Sequence, residues 1–276
     1  MNLIKCLLTE NDCYKANQWI RPKGVMVHST GANNPTIKRY VQPLESNPEY
    51  NNLINVIGYN KNANDWNRSG TNACVHGFIG KLADGSIGTA QCLPWNMRGW
   101  HAGTGTSGRS ANNTHISFEI CEDGLSDKSY FDKVYREAVE LTAMLCTTYR
   151  LDPMADGVVI CHSEGYRRGV ASGHSDVEHW FPRFGKSMDD FRGDVKKEME
   201  DENMTQDQFN AMMDTYLAQR AELPDSEWGA EWEQAKEWGE STGLIKGDTD
   251  GAKQYQGWTT RQQMVLFLYR LKNMWL

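Results

Sequence analysis

Apolar positions in the first half of the chain come in short runs, broken by stretches rich in Gly, Asn and Ser. That is the pattern of buried strands joined by loops. VMV at 25–27 predicts one strand, ending in His28-Ser29-Thr30-Gly31. Residues 32–72 read as loops with one helix near 35–41. Within CVHGFIG at 74–80 and KLADGSIGTAQCL at 81–93, two short alternating or apolar runs lie around Ala83-Asp84-Gly85 and predict a hairpin. A Gly- and Ser-rich loop spans 95–114, with Trp95, Trp100 and His101 in it. HISFEIC at 115–121 predicts a further strand, whose alternation sets Ser117 and Glu119 on one face and Ile116, Phe118 and Ile120 on the other. Phe131, Val134, Ala138, Leu141, Leu145 and Tyr149 keep the 3.6-residue period of a helix packed on a sheet. Asp152-Pro153 ends it, VVIC at 158–161 predicts the next strand, and a second helix runs from about Met188 to Asn203. Strands and helices in this order predict an α/β fold, a central mixed sheet flanked by helices.

The pattern changes after about residue 200. Residues 204–223 predict an amphipathic helix with Phe209, Met213, Tyr216 and Leu217 on one face. Such a stripe packs on a neighbour or self-associates. Pro224-Asp225 breaks the chain, and a small all-α segment follows. Trp228, Trp232, Ala235 and Gly239 share a face of one helix. GLIKGDTDG at 243–251 is a turn, too short of later ligands for a calcium loop. TTRQQMVLFLYRL at 259–271 is a second helix, with Thr259 or Thr260 as its N-cap.

Composition narrows the function classes. The 276 residues carry a net charge of −7, which argues against nucleic acid as the main partner. No stretch reaches the roughly 18 apolar residues of a membrane helix, and the opening residues do not read as a secretory signal. Seven cysteines without a CxxC pair point to free thiols in a protein made in the cytoplasm.

The candidate chemistry is concentrated in VVICHSEGYRRGVASGHSDVEHW at 158–180. This stretch holds three of the seven histidines, His162, His174 and His179, together with Asp176. Imidazole and carboxylate at a strand end and in its following loop suit zinc, and a catalytic zinc keeps one position open. His28 ends its own strand, where ligands collect in open α/β sheets; a backbone-bonded strand cap is its other reading. Glu119 amid Ile116, Phe118, Ile120 and Cys121 is either a solvent-facing residue or, if that face is covered, a candidate general base.

Five segments then carry a family resemblance: VHST at 27–30, CVHGFIGKLADGSIG at 74–88, GWHAG at 99–103, NNTHISFEIC at 112–121 and CHSEG at 161–165. In this order they resemble the zinc-dependent type-2 N-acetylmuramoyl-L-alanine amidases, which share a fold with the peptidoglycan-recognition proteins. The match covers about residues 1–195. The resemblance implies cleavage of the amide between N-acetylmuramic acid and the first L-alanine of the stem peptide. It implies His28 and His162 as zinc ligands and Asp176 as the third, with His179 and His174 competing for that place. Asp176 is preferred because the family carries a basic residue two positions before its third ligand, where His174 stands. Glu119 matches the family's catalytic acid/base; other members use a Tyr at the position held here by Val75. His174 would stabilise the oxyanion, and His76, Trp100 and His101 match groove-lining residues.

The C-terminal residues 224–276 resemble one surface-layer-homology repeat, a binder of wall polymers. Thr260-Arg261 match that family's motif and Gln262-Gln263 depart from it, so Arg261 is the candidate glycan contact. The expected layout is a catalytic domain at 1–195, a helical connector at 196–223 able to mediate homo-oligomerisation, and a wall-binding module at 224–276. The expected role is that of a phage or prophage endolysin, made in a Gram-positive host's cytoplasm and acting on the wall after release. A bacterial autolysin, a non-catalytic peptidoglycan-binding protein and a zinc peptidase cutting within the stem are the alternatives.

Overall fold

The computed structural model describes residues 1–202, 206–221, 230–247, 251, 253, 255–257, 259 and 261–274. The chain separates into two compact units, Met1–Glu202 and Asn203–Leu276. The first is built on a six-stranded mixed sheet. Its strands are β1 (Leu3–Lys5), β2 (Gly24–Ser29), β3 (Gly77–Lys81), β4 (Ile87–Gln91), β5 (His115–Ile120) and β6 (Val159–Cys161), in spatial order β1-β4-β3-β5-β2-β6. Only the β3–β4 hairpin is antiparallel. Helices α1 (Asp12–Lys15), α2 (Tyr50–Ile57), α3 (Lys128–Tyr149), α4 (His162–Arg167) and α5 (Met188–Glu202) complete this unit.

Strand alternation divides the side chains between two cores. Val25 and Val27, Ile116, Phe118 and Ile120, and Val159 and Cys161 point to one face, where α3 and α5 cover them. Asp127 caps α3 by accepting from the Tyr130 N–H, and Phe131, Val134, Ala138, Leu141 and Leu145 are buried against the sheet. The other face is closed by loops and by the amino-terminal arm, with Met26 and Ile160 in one cluster and Phe78, Ala90 and Cys92 in another. Both faces are therefore covered, and Ser117 is fully buried.

Three features depart from the sequence reading. β1 adds a parallel edge to β4 in a stretch with no strand pattern. The helix expected near 35–41 is a single 3₁₀ turn at Ile37–Arg39, and a helix stands instead at Tyr50–Ile57. Asn51, Asn52 and Asn55 are weak helix formers, and burial of Leu53 and Ile57 decides for helix there. His162 opens α4 rather than a loop; the Glu164 carboxylate accepts from the Cys161 N–H at 3.1 Å and is gripped by Arg192 of α5.

The second unit contains α6 (Gln206–Ala221), α7 (Ala230–Ser241) and α8 (Arg261–Met274). On α6, Met213 and Leu217 are half-buried, whereas Phe209 and Tyr216 are exposed. Ile245 packs on Gly239, and Arg270 donates to the Leu244 carbonyl at 2.9 Å. Trp228, Pro224-Asp225, the centre of the 243–251 turn and Thr260 lie outside the described residues. No described helix is long and apolar enough to cross a membrane.

Close strand approach makes one glycine a test of the packing. A Cβ on Gly24 would lie 2.3 Å from the Val158 carbonyl oxygen and 2.7 Å from the His115 ring. Gly24→Ala is expected to cost about 1–3 kcal/mol, read by urea unfolding; an unchanged midpoint would show that β2 and β6 are not clamped there.

Candidate metal centre

The parallel register gathers the site. His28 on β2 stands directly opposite Glu119 on β5, and Val27 stands opposite Cys161 on β6, so His162 follows at the level of His28. His28 shares the face of Met26, Glu119 that of Ser117, and His162 continues from Ile160. All three lie on the sheet face away from α3. The 3₁₀ turn Asp176–His179 then brings in Asp176 at the unusual backbone angle φ +35°.

Three ligand-type atoms meet here. Asp176 Oδ2 is 3.1 Å from His28 Nδ1 and 3.0 Å from His162 Nδ1, and the two imidazole nitrogens are 3.1 Å apart. With Asp176 ionised, protons alone cannot satisfy this triangle. With one Nδ1 protonated, the other faces the carboxylate lone pair to lone pair; with both protonated, the two N–H groups oppose each other. A cation answers all three edges at once. Tetrahedral ligands at roughly 2.0–2.1 Å from a zinc ion lie about 3.3–3.4 Å apart, close to the edges observed. Two imidazoles and a carboxylate are also the donor types that zinc accepts. The residues fit a metal ion, and among the described residues they form the one such group.

Surrounding bonds orient the ligands. His28 Nε2 lies 3.0 Å from His101 Nδ1, and His162 Nε2 lies 3.3 Å from Ser172 Oγ, which reaches the Ala102 carbonyl. These contacts leave both Nδ1 atoms facing the triangle, the usual outer support of metal-binding histidines. His179 does not join the triangle; its Nε2 is 2.9 Å from Glu122. His174 is exposed at the cleft mouth, its ring 4.7 Å from that of His162. His76 departs from the expected groove lining. It is fully buried, bonded to the Met97 carbonyl and the Ser117 N–H, and burial pushes its pKa down to about 4. Val75 is likewise core. Ser172 and Glu122 escaped the sequence reading; Glu122, an acid just past a buried strand and three residues after Glu119, was the more detectable.

Electrostatics set the protonation states. Burial lowers the His28 pKa, keeping the ring neutral and able to ligate. Burial works against the Asp176 carboxylate, but its close contacts with His162 and His28 outweigh it and hold it below the usual carboxylate range. Glu119 is shifted upward, first by burial and then by the charges of Asp176 and Glu122. Its Oε2 is closed off from solvent and has no hydrogen-bond partner among the described residues. The cleft over these groups, about 320 Å³, is lined by His28, Glu119, His162, His174, Asp176 and His179, among others.

A raised Glu119 pKa stabilises the fold only while the group is protonated. In metal-free protein that contribution is complete below the unfolded carboxyl value of about 4.3 and is lost as pH rises through the folded value. Glu119→Gln is therefore expected to be more stable than the parent at pH 7.5, with the difference vanishing below about pH 4.3. Thermal melts of metal-stripped protein at the two pH values check this, and equal stability at pH 7.5 would contradict it.

Comparison with known proteins bears on this geometry. Its chain path is similar to those of the Staphylococcus aureus hydrolase AmiA in complex with its ligand (18% identity, 72% of this chain and 82% of that one, TM-score 0.45), the PlyG catalytic domain (19%, 72% and 96%, 0.47) and a mutant endolysin from Bacillus subtilis (21%, 71% and 99%, 0.43). At that level of similarity none of them determines the role of a residue here. No curated protein sequence shows significant similarity to the chain. The sequence profile of one family, Amidase_2, described as N-acetylmuramoyl-L-alanine amidase, matches residues 18–182. That span covers more than half of the chain and contains every residue of the triangle and Glu119, so this protein belongs to the N-acetylmuramoyl-L-alanine amidase family.

Proposed function

We propose that this protein is a zinc-dependent N-acetylmuramoyl-L-alanine amidase that cuts between the lactyl group of N-acetylmuramic acid and the first stem alanine of peptidoglycan. The observation that carries this reading is the His28–His162–Asp176 triangle with Glu119 beside it in register. When bound, zinc would polarise the scissile carbonyl and lower the pKa of an attacking water. Glu119, whose raised pKa brings it nearer neutrality, takes the proton that this water gives up and delivers it to the departing alanine nitrogen. His174 at the cleft mouth donates an N–H to the developing oxyanion. His101 and Ser172 hold the two ligand imidazoles in one tautomer and leave both Nδ1 atoms free.

The second unit, on this proposal, is a wall-anchoring module resembling one surface-layer-homology repeat. In support, Arg261 is exposed beside a shallow apolar groove lined by Val265, Leu266 and Tyr269. Exposed Phe209, Met212 and Tyr216 on α6 support association of copies through that unit. We further propose an endolysin role, with synthesis in a host cytoplasm and action on the wall after release; the seven buried free thiols favour a reducing site of synthesis.

Digestion of purified sacculi tests the activity. Wild type is expected to bind one zinc and to free new amino-terminal alanine. Glu119→Ala is expected to keep the metal and lose about 10²–10⁴ in rate, whereas Asp176→Ala loses the metal itself. Release of reducing sugar or of internal stem peptides, or iron in place of zinc, would sink the proposal. Arg261→Ala is expected to reduce co-sedimentation with walls while hydrolysis of a soluble muropeptide is unchanged. Light scattering addresses association: a monomeric mass at working concentration removes the oligomer.

A further inference from the structure

The turn that carries Asp176 is held against its own preferences. Asp176 sits at φ +35°, and His179 Nδ1 and Trp180 Nε1 are buried without hydrogen-bond partners among the described residues. A strained segment of this kind persists only where its surroundings over-determine it. Val177, Trp180 and Phe181, all buried in the α3-side core, supply part of the anchorage. They fix the turn's depth in the same cluster as Val25 and Val27 of β2, but apolar packing is non-directional and ties no particular point of the turn to that strand.

Glu122 makes that tie. It is 3% exposed, and its Oε1 accepts the Gly31 N–H at 3.2 Å and lies 2.9 Å from His179 Nε2. Gly31 lies three residues beyond His28, and His179 lies three residues beyond Asp176. One carboxylate oxygen thus links the chain just past one ligand to the chain just past another. The base of the link is itself fixed to the β2 extension. The Glu122 N–H donates to Thr30 Oγ1 at 3.0 Å, the Glu122 carbonyl accepts from Asn34, and the Thr30 N–H donates to the Ile120 carbonyl. Glu119 and Glu122 therefore divide the labour at the end of β5. Glu119 faces the cleft, and Glu122 is taken up by its backbone bonds and its contact with His179.

We propose that Glu122 and His179 are positioning residues that set the spacing of the His28–His162–Asp176 triangle, and so its affinity for metal. The inference rests on reading that triangle as a metal site. It gives His179 a part distinct from ligation: it is the handle by which the strained turn is held to β2.

Zinc affinity of metal-stripped full-length protein, measured by competition with a chromogenic chelator, tests this. Glu122→Ala and His179→Ala are each expected to weaken zinc binding about 10–100-fold. The double variant is expected to lose no more than the larger single effect, because both changes cut one link. Glu122→Gln and His179→Gln, which keep one acceptor and one donor respectively, are expected to show smaller but measurable losses, and they carry the test if the alanine variants fail to fold. Val195→Ala, a buried truncation on α5 away from the triangle, controls for general destabilisation; it is expected to melt earlier yet bind zinc like the parent. Wild-type protein that takes up no zinc overturns the metal-site reading itself. Wild type that binds zinc, with all four single variants equal to it or losses matched by Val195→Ala, overturns the clamp alone. Additive losses in the double variant would also overturn it, since the two residues would then act separately.

Discussion

Two imidazole nitrogens and a carboxylate oxygen held 3.0–3.1 Å apart make a frustrated triangle, and the catalytic unit is organised around tolerating it. In a buried site each unsatisfied edge carries a desolvation cost that water cannot relieve. Such an arrangement needs a rigid backbone beneath it, and one cation would relieve all three edges together. The three atoms come from β2, α4 and a 3₁₀ turn, segments far apart in sequence.

The rigidity comes from the sheet. β2 runs between β5 and β6, parallel to both, and a slip of one residue would exchange its faces. Val25 and Val27 would then leave the α3-side core, so hydrophobic burial pins the same register that sets His28 opposite Glu119. Core packing and site geometry are one constraint. The helix that follows β6 adds to it. Arg192 of α5 grips Glu164, and Glu164 accepts the Cys161 N–H immediately before His162.

Burial also divides the two acidic groups chemically. Asp176 is held in its charged form by two imidazoles, whereas Glu119, with no cationic partner among the described residues, is pushed toward the neutral form by burial and by neighbouring carboxylates. Two carboxyl groups in one cleft thereby acquire different tasks, one suited to ligating and one to moving a proton. This separation needs both faces of the sheet covered, which the amino-terminal arm and the long Gly-rich loop achieve on the cleft side.

Local pattern determined much of this protein. The strand runs at 25–27, 115–121 and 158–161, the hairpin about Ala83-Asp84-Gly85 and the long helix α3 were legible because burial on a sheet imposes a period that neighbouring residues record. His28 at a strand end, Glu119 on an otherwise apolar strand, and the His- and Asp-rich segment after residue 161 were legible for the same reason. β1 and α2 were not, since an edge strand of three residues and an Asn-rich helix owe their form to what packs on them. Nor could sequence spacing decide among Asp176, His179 and His174 as the third partner of His28 and His162. Only the tertiary structure separates them. It turns Asp176 inward at a positive φ, commits His179 to Glu122 and leaves His174 exposed, because side-chain direction in an irregular turn is set by long-range contacts and leaves no period in the chain.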